Sequence, residues 1–202
     1  MTIDAIMRTA PVIPVLVIED AAYARPIAEA LVEGGLPVLE VTLRTGAALA
    51  VIREMSRVPG AIVGAGTVIN QAQLDEACAA GARFIVSPGL TEPVARAAAE
   101  RQIPFLPGIA NAGDIMRGLD LGLDRFKFFP AEASGGRKAL SALAGPFGPA
   151  RFCPTGGITP DNAADWLAEP HVLCVGGTWL VGKSAPDLPA IRAAAQKAAA
   201  LN

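Results

Sequence analysis

Apolar and polar positions in this chain fall into blocks whose period switches back and forth. Short apolar runs read as buried strands. Each is followed by a longer stretch with helical spacing that opens on a capping residue. After an amphipathic lead-in helix over residues 3–9, strand runs fall at 11–18, 37–43, 61–65, 83–86, 104–107, 124–130, 151–154 and 172–175. Helices are expected between them, opened by Asp20, Asn70, Asn111 and Thr159-Pro160-Asp161 among others, and a last one covers 187–199. Eight strand–helix alternations joined by short links predict a parallel sheet covered by helices. Eight units favour closure into a small (β/α)8 TIM barrel with a short N-terminal helix. The alternative is an open, doubly wound sheet. No linker divides residues 1–202, so one domain is expected.

Composition narrows the function classes. The chain is 52% apolar with a net charge of −2, which argues against a broad nucleic-acid surface or a polybasic membrane patch. No apolar run approaches the roughly 20 residues that span a bilayer. Residues 1–10 carry Asp4 and Arg8 and lack the apolar core of a secretion signal, which predicts a cytoplasmic protein. Cys78, Cys153 and Cys174 form no Cys-x-x-Cys pair, and the last two fit small buried hydrophobes in strands. His171 is the only histidine, so a histidine-rich metal site is unavailable and a nucleophilic cysteine lacks its usual partner. A structural role suits His171 better than a catalytic one.

The chemistry gathers around Asp124-Arg125-Phe126-Lys127-Phe128-Phe129-Pro130. Alternation puts Phe126 and Phe128 on one face, with Arg125, Lys127 and Phe129 on the other. An ammonium among aromatic rings loses hydration, which favours the neutral amine, and a neutral amine can attack a carbonyl to form an imine. A lysine that faces water, or that merely pairs with a carboxylate, is the competing reading. In the second strand, Val38, Glu40, Thr42 and Arg44 share one face. A carboxylate inside an apolar strand is costly unless it is paired or working, and an ion pair of Glu40 with Lys127 or Arg44, without catalytic use, is the competing reading. Glu40 pointing into the same barrel as Lys127 could exchange protons while the lysine does covalent work.

Other candidates sit where the strands end, which is where barrels of this type place their sites. Gly64-Ala65-Gly66-Thr67 ends the third strand and offers a hydroxyl, but lacks the third glycine of a dinucleotide fingerprint. Ser87-Pro88-Gly89 ends the fourth, where Pro88 taken alone reads better as a turn-shaping residue than as a site residue. Thr155-Gly156-Gly157-Ile158 and Gly176-Gly177-Thr178 end the seventh and eighth, where backbone N–H groups commonly receive a phosphate. Arg44 is the candidate clamp for a carboxylate.

Taken in order, Glu40-Val41-Thr42-Leu43-Arg44-Thr45, Gly64-Ala65-Gly66-Thr67, Phe126-Lys127-Phe128-Phe129-Pro130 and Pro154-Thr155-Gly156-Gly157 carry a family resemblance. The chain resembles the class I 2-keto-3-deoxy-6-phosphogluconate (KDPG) aldolases, grouped with the 4-hydroxy-2-oxoglutarate (KHG) aldolases, over nearly all its length. The resemblance implies a metal-independent, cofactor-free aldolase that splits 2-dehydro-3-deoxy-6-phospho-D-gluconate into pyruvate and D-glyceraldehyde 3-phosphate. It implies Lys127 as the Schiff-base lysine and Glu40 as the general acid/base. It further implies Arg44 and Thr67 on the pyruvate-derived carboxylate, Pro88 and Phe129 lining that pocket, and Thr155, Gly156 and Gly157 in a substrate-facing turn. Thr178 stands where the family pattern resembles Gly-Gly-Ser, a small departure that keeps the hydroxyl. Members of the family are typically trimeric. Two other function classes fit the residues alone: a phosphosugar isomerase or epimerase with Glu40 as base, and a catalytically silent phosphosugar-binding protein.

Overall fold

Nine strands alternate with helices along the described residues, 1–182 and 185–201, of a computed structural model. The strands are β1 (Val12–Leu16), β2 (Val38–Thr42), β3 (Ile62–Gly66), β4 (Ile85–Val86), β5 (Phe105–Leu106), β6 (Gly108–Ile109), β7 (Arg125–Phe128), β8 (Arg151–Pro154) and β9 (Val175–Gly177). A lead-in helix α1 (Ile3–Met7) precedes them. The intervening helices are α2 (Ala24–Glu33), α3 (Ala48–Met55), α4 (Gln71–Ala79), α5 (Glu92–Glu100), α6 (Ala112–Asp120), α7 (Gly136–Ala144) and α8 (Ala163–Leu167), and α9 (Leu188–Ala199) closes the chain. Every strand pairing is parallel. One curled sheet has the order β5-β4-β3-β2-β1-β9, and a second has the order β6-β7-β8. The architecture is α/β, with the six-stranded sheet forming a half-barrel. No helix among the described residues is long and apolar enough to cross a membrane.

The alternation read from the sequence decides what each strand face meets. Leu39 and Val41 of β2, with Phe126 and Phe128 of β7, point outward into the main core beneath the helices. Val38, Ile13, Ile62, Phe84 and Cys153 point inward, where Ile6 and Met7 of α1 join them in a smaller apolar cluster. This inner floor lies at the N-terminal ends of the strands, and α1 plugs it. Thr2 caps α1 by accepting from Ala5 N–H, and Asp4 ties the helix to Arg125 of β7 (2.6 Å).

Of the boundaries that depart from the sequence reading, four have a clear local reason. The fifth strand is broken into β5 and β6 because Pro107 has no N–H to give the ladder. Asp20 caps a three-residue 3₁₀ turn, Ala21–Tyr23, before α2 begins. Asn162, not Thr159, immediately precedes α8, and its Oδ1 reaches back to accept Thr159 N–H at 2.8 Å. Val172 spends its N–H on Glu169 O in a turn and makes only an isolated bridge to Phe152, so β9 starts at Val175.

Candidate active site

Strand β2 carries its acid into the interior at a register where neighbouring strands leave room. Glu40 lies opposite Val15 on one side and Gly64 on the other. A Cβ on Gly66 would overlap the Glu40 carboxylate, so the bare glycine makes space for the acid. On β7, Lys127 lies between Gly108 and Cys153 and points the same way. The two meet: Lys127 Nζ donates to Glu40 Oε1 at 3.0 Å, with side chains only 7% and 4% exposed. Such a pair is held by mutual charge and hydrogen bonding against the desolvation of both groups.

The surroundings of the amine differ from the aromatic cage suggested by the sequence. Phe126 and Phe128 pack outward against the helices, and the ring that approaches among the described residues is Phe129, with its centroid 5.3 Å from Nζ. The principal neighbour of the amine is the carboxylate. That arrangement keeps a proton acceptor against the nitrogen.

A cavity of about 240 Å³ opens above the pair at the C-terminal ends of the strands. Arg44, Thr67, Pro88, Phe129, Thr155, Gly156, Gly157, Gly176 and Thr178 line it. Gly177 stays outside: it pairs with Pro14 in the sheet, and its Cα faces the Trp179 ring. Thr67 adopts φ 59°, a left-handed conformation that a β-branched residue rarely takes and that places local strain at the cavity wall. Gly156 and Gly157 stand at φ 98° and 82°. Among the described residues the Gly157 N–H has no protein acceptor, which leaves that donor available to an anion. Ser87 instead closes its own turn, donating to Gly89 O at 2.7 Å.

Val15, Thr42 and Ile158 also line the cavity but were not among the expected site residues. Strand parity had already put Thr42 on the Glu40 face. Its hydroxyl donates to Leu16 O at 2.9 Å, so its oxygen is left to the cavity as an acceptor. Below, Cys153 and Cys174 are free and buried. The Cys174 thiol is pushed well above its ordinary range by its hydrogen bond with Cys153 and then by burial, which keeps it protonated and inert. His171 does not line the cavity, and among the described residues its Nδ1 has no hydrogen-bond partner. Among the described residues no group of three or more histidine, cysteine or acidic side chains is placed to hold a metal ion.

A lysine and a carboxylate in contact inside one cavity, at the mouth of a parallel α/β sheet, define an enzyme able to bond covalently to a carbonyl carbon. The chain belongs to the KDPG and KHG aldolase family, whose model matches residues 3–194. It is 60% identical over 198 residues to a 2-dehydro-3-deoxy-phosphogluconate aldolase of Zymomonas mobilis, covering 98% of this chain and 95% of that relative. The crystal structure of the Zymomonas mobilis ZM4 KDPG aldolase with 3-phosphoglycerate superposes with a TM-score of 0.97 at 59% identity, over 99% of this chain and 96% of that one. The KDPG aldolase of Legionella pneumophila, captured with pyruvate as a covalent carbinolamine intermediate, superposes with a TM-score of 0.95 at 42% identity, over 99% of each chain.

Proposed function

We propose that this protein is a class I aldolase that reversibly cleaves 2-dehydro-3-deoxy-6-phospho-D-gluconate to pyruvate and D-glyceraldehyde 3-phosphate, with 4-hydroxy-2-oxoglutarate as a second substrate. The buried contact between Lys127 and Glu40 carries the reading. Lys127 sheds a proton to the carboxylate 3.0 Å away and attacks the C2 ketone. Protonated Glu40 returns that proton to the carbinolamine hydroxyl, which leaves as water to give an iminium that withdraws electrons from the C3–C4 bond. Glu40, through a water molecule, takes the C4 hydroxyl proton as that bond breaks. The aldehyde leaves, the enamine is protonated at C3, and hydrolysis of the imine frees pyruvate and the lysine.

The rest of the cavity divides the substrate by charge. Arg44 and Thr67 hold the carboxylate, and Pro88 and Phe129 pack the pyruvate-derived carbons. The Gly157 N–H, with Thr155, Gly156, Gly176 and Thr178, receives the phosphate end; Gly177 supports this loop from outside the cavity. An isomerase using Glu40 as base would leave Lys127 without covalent duty.

We also infer that the two sheets close into one (β/α)8 barrel working as a single domain. Support comes from the Phe152–Val172 and Thr155–Gly176 bridges on one side, and from Gly108 N–H donating to Ser87 O at 3.0 Å on the other. A cytoplasmic homotrimer is the assembly proposed for it. The decisive test of the reaction is borohydride reduction in the presence of pyruvate, followed by peptide mass spectrometry. A stable adduct on Lys127 is expected, and an unmodified Lys127 would exclude the imine route.

A further inference from the structure

One carboxylate outside the cavity braces the turn that follows β8, and the reaction leaves it unused. Glu132 lies in the loop after β7. Its N–H donates to Gly156 O at 3.1 Å, and its neighbour Ala131 donates to Thr155 O at 2.8 Å. The side chain reaches the other end of the same turn. Glu132 Oε1 accepts from Trp166 Nε1 at 2.8 Å and from Asn162 Nδ2 at 3.3 Å. Asn162 Nδ2 also donates to Gly157 O at 3.1 Å.

Trp166 is fully buried, so its indole N–H needs an acceptor within the protein, and Glu132 supplies it. The fit is also steric. A Cβ on Gly157 would come within 2.5 Å of Glu132 Cγ and 2.7 Å of its Cβ, so the bare glycine lies against the Glu132 side chain. The Glu132 N–H, its side-chain packing and, through Asn162, its carboxylate therefore bear on Gly156 and Gly157, while the Trp166 indole holds that carboxylate.

A free carboxylate beside a phosphate-binding turn would repel the ligand. Here both donors fall on one carboxylate oxygen and tie it to the turn it supports. We propose that Glu132 is a positioning residue: through Trp166 and Asn162 it presets the Gly156–Gly157 turn, and so favours phosphorylated over unphosphorylated keto acids without touching either. The inference rests on the reading of that turn as the phosphate seat.

Steady-state kinetics on 2-dehydro-3-deoxy-6-phospho-D-gluconate and on 4-hydroxy-2-oxoglutarate test it, using the wild type, Glu132→Ala, Glu132→Gln and Trp166→Phe. Loss of the brace in Glu132→Ala should raise KM for the phosphorylated substrate about tenfold while kcat and both constants for 4-hydroxy-2-oxoglutarate stay within about twofold. Glu132→Gln, which keeps the acceptor, should restore the wild-type KM, and Trp166→Phe should shift it in the direction of Glu132→Ala. Equal losses on both substrates, or no change in either, would overturn the proposal. Should Glu132→Ala fail to fold, the same criterion applies to Trp166→Phe. Inorganic phosphate that fails to compete with the phosphorylated substrate in the wild type would instead remove the phosphate reading itself, and this inference with it.

Discussion

Two ion pairs stand two residues apart on β7 and do opposite work. Arg125 reaches down to Asp4 of α1, with side chains 17% and 35% exposed. Lys127 reaches across to Glu40 inside the sheet, with 7% and 4% exposed. The lower pair uses a guanidinium, which does not give up its proton, and Arg125 also donates to the Asp124 and Pro149 carbonyls. It can only be a latch. The upper pair uses an amine, whose proton can move to its partner and expose a nucleophile. Their settings match these duties: the lower end of the sheet is packed with Ile6, Met7 and other apolar side chains, whereas the upper end opens into a cavity that Arg44, Thr42 and Thr67 also line. On the proposed reaction, one strand thus carries a structural charge and a reactive charge, separated by which cation is used and how far it is sealed from water.

Breaking the upper pair should have the largest effect. Lys127→Met is expected to abolish trapping with pyruvate and lower turnover by at least ~10⁴-fold, because the covalent route is gone. It also strands a buried carboxylate, which typically destabilises by about 3–5 kcal/mol. The double variant Lys127→Met/Glu40→Gln removes that charge and should recover much of the lost stability in urea titrations, while remaining inactive. A double variant no more stable than the single one would mean that Glu40 is not held by Lys127. Glu40→Gln alone should separate the two roles. Trapping with pyruvate persists, but carbon–carbon cleavage falls by ~10²-fold or more as general acid–base catalysis is lost. Cleavage at the wild-type rate would take the acid/base role away from Glu40.

How much of this pair was legible in the sequence follows from strand parity. The period of two put Glu40 and Arg44 on one face of β2 and Lys127 opposite Phe126 and Phe128 on β7, and the inward directions observed follow that parity. Parity does not report distance across a sheet, so the direct Lys127–Glu40 contact remained one of several options. The glycine motifs at the ends of β8 and β9 were visible, yet Gly177 falls outside the cavity because pairing with Pro14 turns it away. Glu132 gave no signal at all. Its importance arises from Trp166 and Asn162, some thirty residues on, and only the folded chain brings them together. The broken fifth strand was readable in principle, since Pro107 cannot donate to a ladder.

The smallest expected effect lies at the lower pair. The Asp4 carboxyl is held below its ordinary value of 3.8, first by its hydrogen bond from Arg125 and then by the one from Arg8. A carboxyl lowered in the folded state adds stability above its unfolded value and loses it as pH falls through the folded value. The latch therefore supports α1 at neutral pH and is released in acid, below about pH 4. Asp4→Asn should destabilise the protein at pH 7 by about 0.2–1 kcal/mol, the range for partly exposed pairs. That gap should close as urea titrations are repeated at falling pH, while turnover at pH 7 stays unchanged. A gap that persists into acid would show that Asp4 acts through packing or capping instead of charge. A fall in turnover at pH 7 would show that the lower end of β7 is coupled to Lys127 after all.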